Sequence, residues 1–402
     1  MTSIYGPVTD WATDFDHAEP DYNANAHAVW AELREGCPVA HTDRYNGAWL
    51  PVTHELVSQI AYDTEHFTSR SVIVSPFRPL AEAPVGNAPP ISSDPPFHHD
   101  ARRILLPAFA PKAIQPLEKD VRELCRQLLR DMGDADVIDA AVQYAQHIPV
   151  NVIALMLGFP VEDADVFRGF VHDVIEGINV EPEQRFQAFE RLDRYIDQQV
   201  RDHIAHPRDD LTTYLLNAKI YDQPLSVEHV RGSIVLLLIA GIDTTWSALG
   251  SSLLHLATHP KDRERLVADP TLIPTAIEEF LRAYAPVTMA RLVKEDVEIG
   301  GCPMKVDDWV LLPFPAANVD PAAFEDADEV IIDRAENRHL AFGLGIHRCL
   351  GSNLARLELN VAVEEFLAHF PDFALADGAE ITWSVGQIRG PRSIRVQVRP
   401  KS

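Results

Sequence analysis

The sequence predicts a mainly α-helical chain with a small β-rich region, on three observations. From Phe97 to about Thr258 the spacing of apolar residues is mostly helical, and Arg231 to Thr258 is apolar nearly all round. Strand-like runs, rich in β-branched and aromatic residues, collect toward the two ends of the chain. No Gly/Ser linker, low-complexity segment or internal repeat divides the 402 residues. That length could hold two or three domains, though no boundary is marked; the β-rich portions fall near 40–70 and 290–315/380–400, with a helical remainder.

The elements follow in chain order. Residues 21–36 have the spacing of a short amphipathic helix, and 45–53, with Trp49, Leu50 and Val52, that of a strand. Residues 70–96 are rich in Pro and Ser without helical period, a long loop of the kind that is more often functional than idle. The all-round apolar segment 231–258 marks a helix buried in a large domain, about 40 Å long at ~1.5 Å per residue. Its middle, Ala240-Gly241-Ile242-Asp243-Thr244-Thr245, places a glycine, an acid and two β-branched hydroxyls inside a buried helix. Each of these costs helix stability and the acid needs a partner, so the departure marks a site. After Pro286 the pattern turns mixed: strands at 291–299 and 308–313, a loop through 315–341, a helix after Cys349 and a strand from Ile394 to Val398.

Composition bounds the function. With 46% hydrophobic residues the chain buries a sizeable core without disulfides. Cys37, Cys125, Cys302 and Cys349 lie far apart and form no CxxC pair, which argues against zinc ribbons and redox dithiols and fits a reducing cytoplasm. Asp and Glu outnumber Lys and Arg by 60 to 35, a formal charge of −25 that argues against nucleic acid and anionic membranes as partners. The first ten residues show no basic region followed by an apolar run, so no signal peptide or anchor is expected.

The richest chemistry lies in Phe342-Gly343-Leu344-Gly345-Ile346-His347-Arg348-Cys349-Leu350-Gly351. Gly343 and Gly345 permit backbone geometry closed to other residues, and Gly351 permits close approach of a large flat partner. The helix that follows, with Leu354, Leu357, Leu359, Val361 and Val363, puts Cys349 near a helix N-terminus, where the dipole favours thiolate. A lone cysteine is most often a small buried hydrophobe. The spacing Phe-x-x-Gly-x-x-x-Cys-x-Gly, completed by Gly345 and His347, instead resembles the haem-binding loop of cytochromes P450. In that family the cysteine is the proximal ligand of haem iron.

Carried over, the resemblance makes Cys349 the metal ligand, with Phe342 and Gly351 beside the cofactor and His347 on a haem propionate. Ala-Gly-x-Asp-Thr is similar to the family's oxygen-activation motif, which implies Asp243 and Thr244 as the catalytic acid–alcohol pair. Ala240 and Gly241 then keep the helix surface low over the haem. Asp94-Pro95-Pro96-Phe97-His98-His99-Asp100-Ala101-Arg102 resembles the family's propionate-binding stretch, implying His98 and Arg102, with Arg291 as a third group. Glu279 and Arg282, at i and i+3, share a helix face and resemble the family's Glu-x-x-Arg motif, a structural bridge. The third arginine common among relatives is missing from the matching stretch Asp328-Glu329-Val330, leaving Arg334 or Arg338 to compensate.

The resemblance, which spans Asp94 to Gly351, implies the cytochrome P450 fold and haem b (iron protoporphyrin IX). It implies activation of O₂ with two supplied electrons and insertion of one oxygen atom into an organic substrate, by hydroxylation, epoxidation or oxidative dealkylation. The sequence carries no flavin or iron–sulfur motif. NAD(P)H is therefore expected to act only through ferredoxin and ferredoxin reductase, as separate chains or as fused domains of a longer protein. A monomer is expected. The distal pocket is read from the 70–92 loop, Leu237, Ala240, Val287, Met289, Gln387 and Ile388, largely apolar residues that suit a small or medium hydrophobic substrate. A peroxide-driven peroxygenase, which typically lacks the acid–alcohol pair, and a non-catalytic haem-thiolate sensor or carrier are the alternatives.

Overall fold

The computed structural model of the 402-residue chain describes residues 5–74, 88–171, 182–384 and 386–399. Its axis is the helix Val227–Thr258, 32 residues long, or about 48 Å at ~1.5 Å per residue. It starts four residues earlier than predicted because the first turn is polar and breaks the apolar pattern. Ser226 caps that turn, its hydroxyl accepting the His229 N–H at 3.1 Å. Pro260 follows the end at His259 and opens a new helix.

Helices Ala164–Val171, Pro182–Ala205, His147–Leu157, Ile273–Ala283 and Ser352–His369 pack around this axis. Ile234, Ile242, Leu249, Leu253 and Leu256 meet Ile148, Leu157, Val363 and Phe366 in one core with negligible exposure. Full burial of each such side chain stabilises the fold by about 1.5–3 kcal/mol. This helix is also long and apolar enough to cross a membrane, yet most of its surface is buried by its neighbours.

A five-stranded sheet takes the order Val39–Thr42, Ala48–Pro51, Trp309–Pro313, Thr288–Val293, Phe67–Thr68. Trp309–Pro313 is central and wholly buried, which is why it reads as a continuous apolar run. It lies parallel to Ala48–Pro51 and antiparallel to Thr288–Val293. The two-residue strand period turns Met289 and Arg291 of Thr288–Val293 to one face, and both reach the central cavity.

Several boundaries differ from expectation. The strand predicted over 45–53 is confined to Ala48–Pro51, because Tyr45 and Asn46 turn with φ of 58° and 62°. The strand predicted over 291–299 splits at the polar turn Lys294-Glu295-Asp296, and Val297–Ile299 pairs with Cys302–Met304. The loop predicted over 315–341 opens with the short helix Phe314–Asn318. Within the long helical stretch, Val137–Asp139 leaves to join Arg395–Arg399 and Asp372–Leu375 in a three-stranded sheet. Of the 70–96 loop, residues 75–87 lie outside the described residues.

Candidate active site

A cavity separates the long helix from the cysteine loop. Leu237, Ala240, Gly241, Thr244, Thr245 and Ala248 form one wall, and Phe342, Gly343, Leu344, His347, Cys349, Leu350 and Gly351 the other. The loop is built by its glycines. Gly343 and Gly345 both adopt φ of +64°, and a Cβ on Gly345 would lie 2.6 Å from the Ala61 carbonyl oxygen. This geometry returns the chain so that the Cys349 N–H donates to the Phe342 carbonyl at 2.7 Å.

Cys349 lines the cavity and has accessible surface. Burial pushes its thiol pKa up; the Gly351 N–H and the charges of Arg102, Arg348 and Arg356 pull the other way. The helix begins only at Ser352, with Gly351 as its N-cap. The expected lowering by a helix N-terminus is thus outweighed by desolvation. Gly351 faces open space, with no atom within 4 Å of where a Cβ would stand.

On the opposite wall the Thr244 hydroxyl donates to the Ala240 carbonyl at 2.7 Å, one turn earlier. Asp243 is not on this wall. Its side chain is fully buried on another face of the helix, where Oδ1 accepts from Arg392 Nη2 at 2.6 Å. Arg392 also donates to Ser247 Oγ at 3.0 Å and stacks on Trp246 at 4.2 Å. The acid and the alcohol adjoin in sequence but diverge by about 100° around the helix. Gly241 lines the cavity, but the space that a Cβ would fill points to Ile153, at an ordinary 3.5 Å.

Hydrogen-bond donors from arginine and histidine gather at one edge. Arg102, Arg291 and His347 line the cavity. Arg102 donates to the Arg348 carbonyl, and the buried Arg291 donates to the Ala290 carbonyl at 2.7 Å. His347 Nε2 and Ser69 Oγ are hydrogen-bonded at 2.9 Å. His98 stands behind, its ring 4.4 Å from that of His347, and is absent from the cavity wall. Neither His98 ring nitrogen has a partner among the described residues, although both are buried. Burial, with the neighbouring cations, pushes His347 down to about 2 and His98 to about 4, and burial pushes Arg291 down to about 10. Donors that have no carboxylate partner among the described residues, two of them buried, fit the acidic edge of a flat prosthetic group seated over Cys349.

Of the apolar wall residues, Leu237, Val287 and Met289 reach the cavity, joined by Pro90, Ile91 and Leu236. Ile388 does not. It is buried in a β-bridge to Val287 and supports the wall from behind. Gln387 likewise holds the wall, bonding the Val74 N–H and the Val72 and Thr288 carbonyls.

Glu279 and Arg282 form a fully buried bidentate pair at 2.8 and 2.9 Å. Arg334, the first of the two substitutes considered, takes the third place at 3.0 Å from Glu279 Oε2, whereas Arg338 is exposed. Asn337 and the Ile331 N–H complete the shell of Glu279, and Arg282 reaches the carbonyls of Asn318, Ala327 and Glu329.

Two site residues escaped the sequence reading. Arg392 has no local signal, since it meets Asp243 across 149 positions. Glu358 lines the cavity and is buried, one oxygen without a partner among the described residues, and burial raises its pKa well above the usual carboxylate range. Its spacing of four from Leu354 placed an acid on the apolar face, a signal that was readable.

Likeness to known proteins is extensive. Residues 183–378 match the family described as Cytochrome P450. The chain is 32% identical over 376 residues to mycinamicin IV hydroxylase/epoxidase of Micromonospora griseorubida, covering 91% of this chain and 94% of that one. It is 32% identical to vitamin D(3) 25-hydroxylase of Pseudonocardia autotrophica, covering 94% and 95%. The solved structure of the bacillaene polyketide synthase P450 PksS from Bacillus subtilis 168 has a TM-score of 0.86 at 30% identity, covering 96% of this chain and 99% of that one. With a cysteine loop facing, across a cavity, a helix whose Thr244 hydroxyl bonds back to the Ala240 carbonyl, and relatives that match over most of their length, the chain belongs to the cytochrome P450 family and is a monooxygenase.

Proposed function

We propose that this P450 binds haem b and takes two electrons from a separate ferredoxin, reduced by an NAD(P)H-dependent reductase. It places one oxygen atom in a small or medium apolar substrate. The observation that carries this reading is the opposition, across one largely apolar cavity, of Cys349 to the Thr244–Ala240 hydrogen bond. Haem, held there, supplies the electron-accepting iron at which O₂ is activated.

The chain's own groups have separable tasks. Cys349 ligates the iron, and Gly351 leaves room for the ring. Arg102, Arg291 and His347 take the propionates, while His98 donates from behind His347. The bond from Thr244 to Ala240 leaves the hydroxyl oxygen able to accept a proton-bearing partner from the cavity. Asp243 is held away from that wall by Arg392, so proton delivery through Asp243 requires this pair to open. Leu236, Leu237, Val287 and Met289 exclude water and orient substrate by apolar contact. Mycinamicin IV and vitamin D(3), on which two of the relatives act, support an organic substrate. We take residues 1–402 as one haem-binding domain, monomeric and cytoplasmic.

The test is turnover of purified holoenzyme with surrogate ferredoxin and reductase against a panel of macrolides, sterols and terpenoids. Substrate-dependent NAD(P)H consumption matched by oxygenated product supports the proposal. Turnover with peroxide alone would make the protein a peroxygenase, and haem shifts on ligand binding without any turnover would make it a sensor or carrier.

A further inference from the structure

Behind the cysteine loop, on the side away from the cavity, lies an ion pair that the reaction described above does not use. Glu278, next to the buried Glu279, points to the loop instead of to the Arg282–Arg334 cluster. Arg356 grips it with both arms of its planar fork, Nε to Oε1 at 2.7 Å and Nη2 to Oε2 at 2.8 Å. His339 Nε2 lies 3.1 Å from the same Oε2. The Arg356 guanidinium also covers the Phe342 ring, 4.4 Å from its centroid. Phe342 in turn lines the cavity, and its carbonyl receives the Cys349 N–H.

We propose that Glu278 and Arg356 form a charge-compensated pair that acts through Phe342 and the Cys349 loop to set the reduction potential of the thiolate-bound iron, with Arg356 as a positioning residue. The inference rests on the haem-thiolate reading given above. Two arguments support it. Arg356 and Glu278 are about 30% exposed, and pairs this open contribute little to stability. A guanidinium stacked on an aromatic face and forked onto a carboxylate is a geometry that lysine cannot reproduce, so it fixes a position as well as a charge.

The pair makes opposite predictions for its two members. One-electron reduction adds one negative charge at the iron, the electron coming from the external donor. An uncompensated cation nearby favours that step and an uncompensated anion opposes it. Glu278→Gln strips the compensation from Arg356 and shifts the ferric/ferrous midpoint positive. Arg356→Gln strips it from Glu278 and shifts the midpoint negative. The double variant returns toward wild type, because charge is again balanced.

Spectroelectrochemical titration of the full-length holoenzyme with soluble mediators reads all three midpoints. Opposite shifts in the single variants support the proposal. Shifts of the same sign, as simple loosening of the loop would produce, or no shift, overturn it. If Arg356→Gln does not retain haem, Glu278→Gln decides alone: a positive shift supports the proposal, and a negative shift or none overturns it. The carbon monoxide difference spectrum of the wild type is recorded alongside, since loss of the thiolate band there would refute the haem-thiolate reading itself.

Discussion

Thr244 makes the clearest single-residue claim on the chemistry. Its hydroxyl sits on the cavity wall and already bonds the Ala240 carbonyl, so Thr244→Val keeps the shape and removes the oxygen. Product formed per NAD(P)H should fall on the order of tenfold or more, while the substrate-induced absorbance shift keeps its midpoint. An unchanged coupling ratio would remove Thr244 from proton handling. At this scale the sequence is most readable where partners are local. Cys349, His347 and the glycines share ten consecutive residues, and Glu279 and Arg282 are three apart. Asp243 was readable as an anomaly in an apolar helix, but its ion pair was not, because Arg392 arrives from the distant C-terminal hairpin Thr382–Trp383/Pro391–Ser393. Arg334 was one of two candidates until the fold showed which one reaches Glu279.

Among the elements, the cysteine loop depends on backbone geometry. Gly345→Ala would need a left-handed φ and would set a methyl 2.6 Å from the Ala61 carbonyl, so the loop must shift away from the helix His54–Tyr62. The expected outcome is reduced haem retention after purification, read as the ratio of haem to protein absorbance; retention at the wild-type level would show that the loop accommodates the methyl. The long helix and the central strand Trp309–Pro313 were legible because both are nearly continuous apolar runs. Short strands such as Val39–Thr42 and Val137–Asp139 were not, since three or four residues carry too little period and their pairing is supplied from far along the chain.

For the whole molecule, the adjacent acids Glu278 and Glu279 fasten one helix to two different regions. Glu279→Ala leaves Arg282 buried beside carbonyls with no carboxylate, and the loss of such a partner costs about 3–5 kcal/mol; thermal unfolding should move down sharply. Glu278 gives the pH dependence. Burial alone would raise its pKa, but Arg356 and His339 bring it down to about 2. A depressed carboxyl contributes stability that is fully present above its ordinary value, near ~4.3, and is lost as pH falls toward 2. Because the pair is about 30% exposed and solvent screens it, Glu278→Gln should flatten the fall in stability between those limits only modestly, as read by urea unfolding at a series of pH values. An unaltered slope would show that the carboxylate is not selectively stabilised in the fold. All these contacts converge on one thiol facing one cavity. The most direct measurement is the absorbance of the reduced, carbon monoxide-bound protein: wild type should show the thiolate band from which the family takes its name, and Cys349→Ser should lose it. A wild-type protein that retains haem yet lacks that band, or a Cys349→Ser variant that keeps it, would contradict the account.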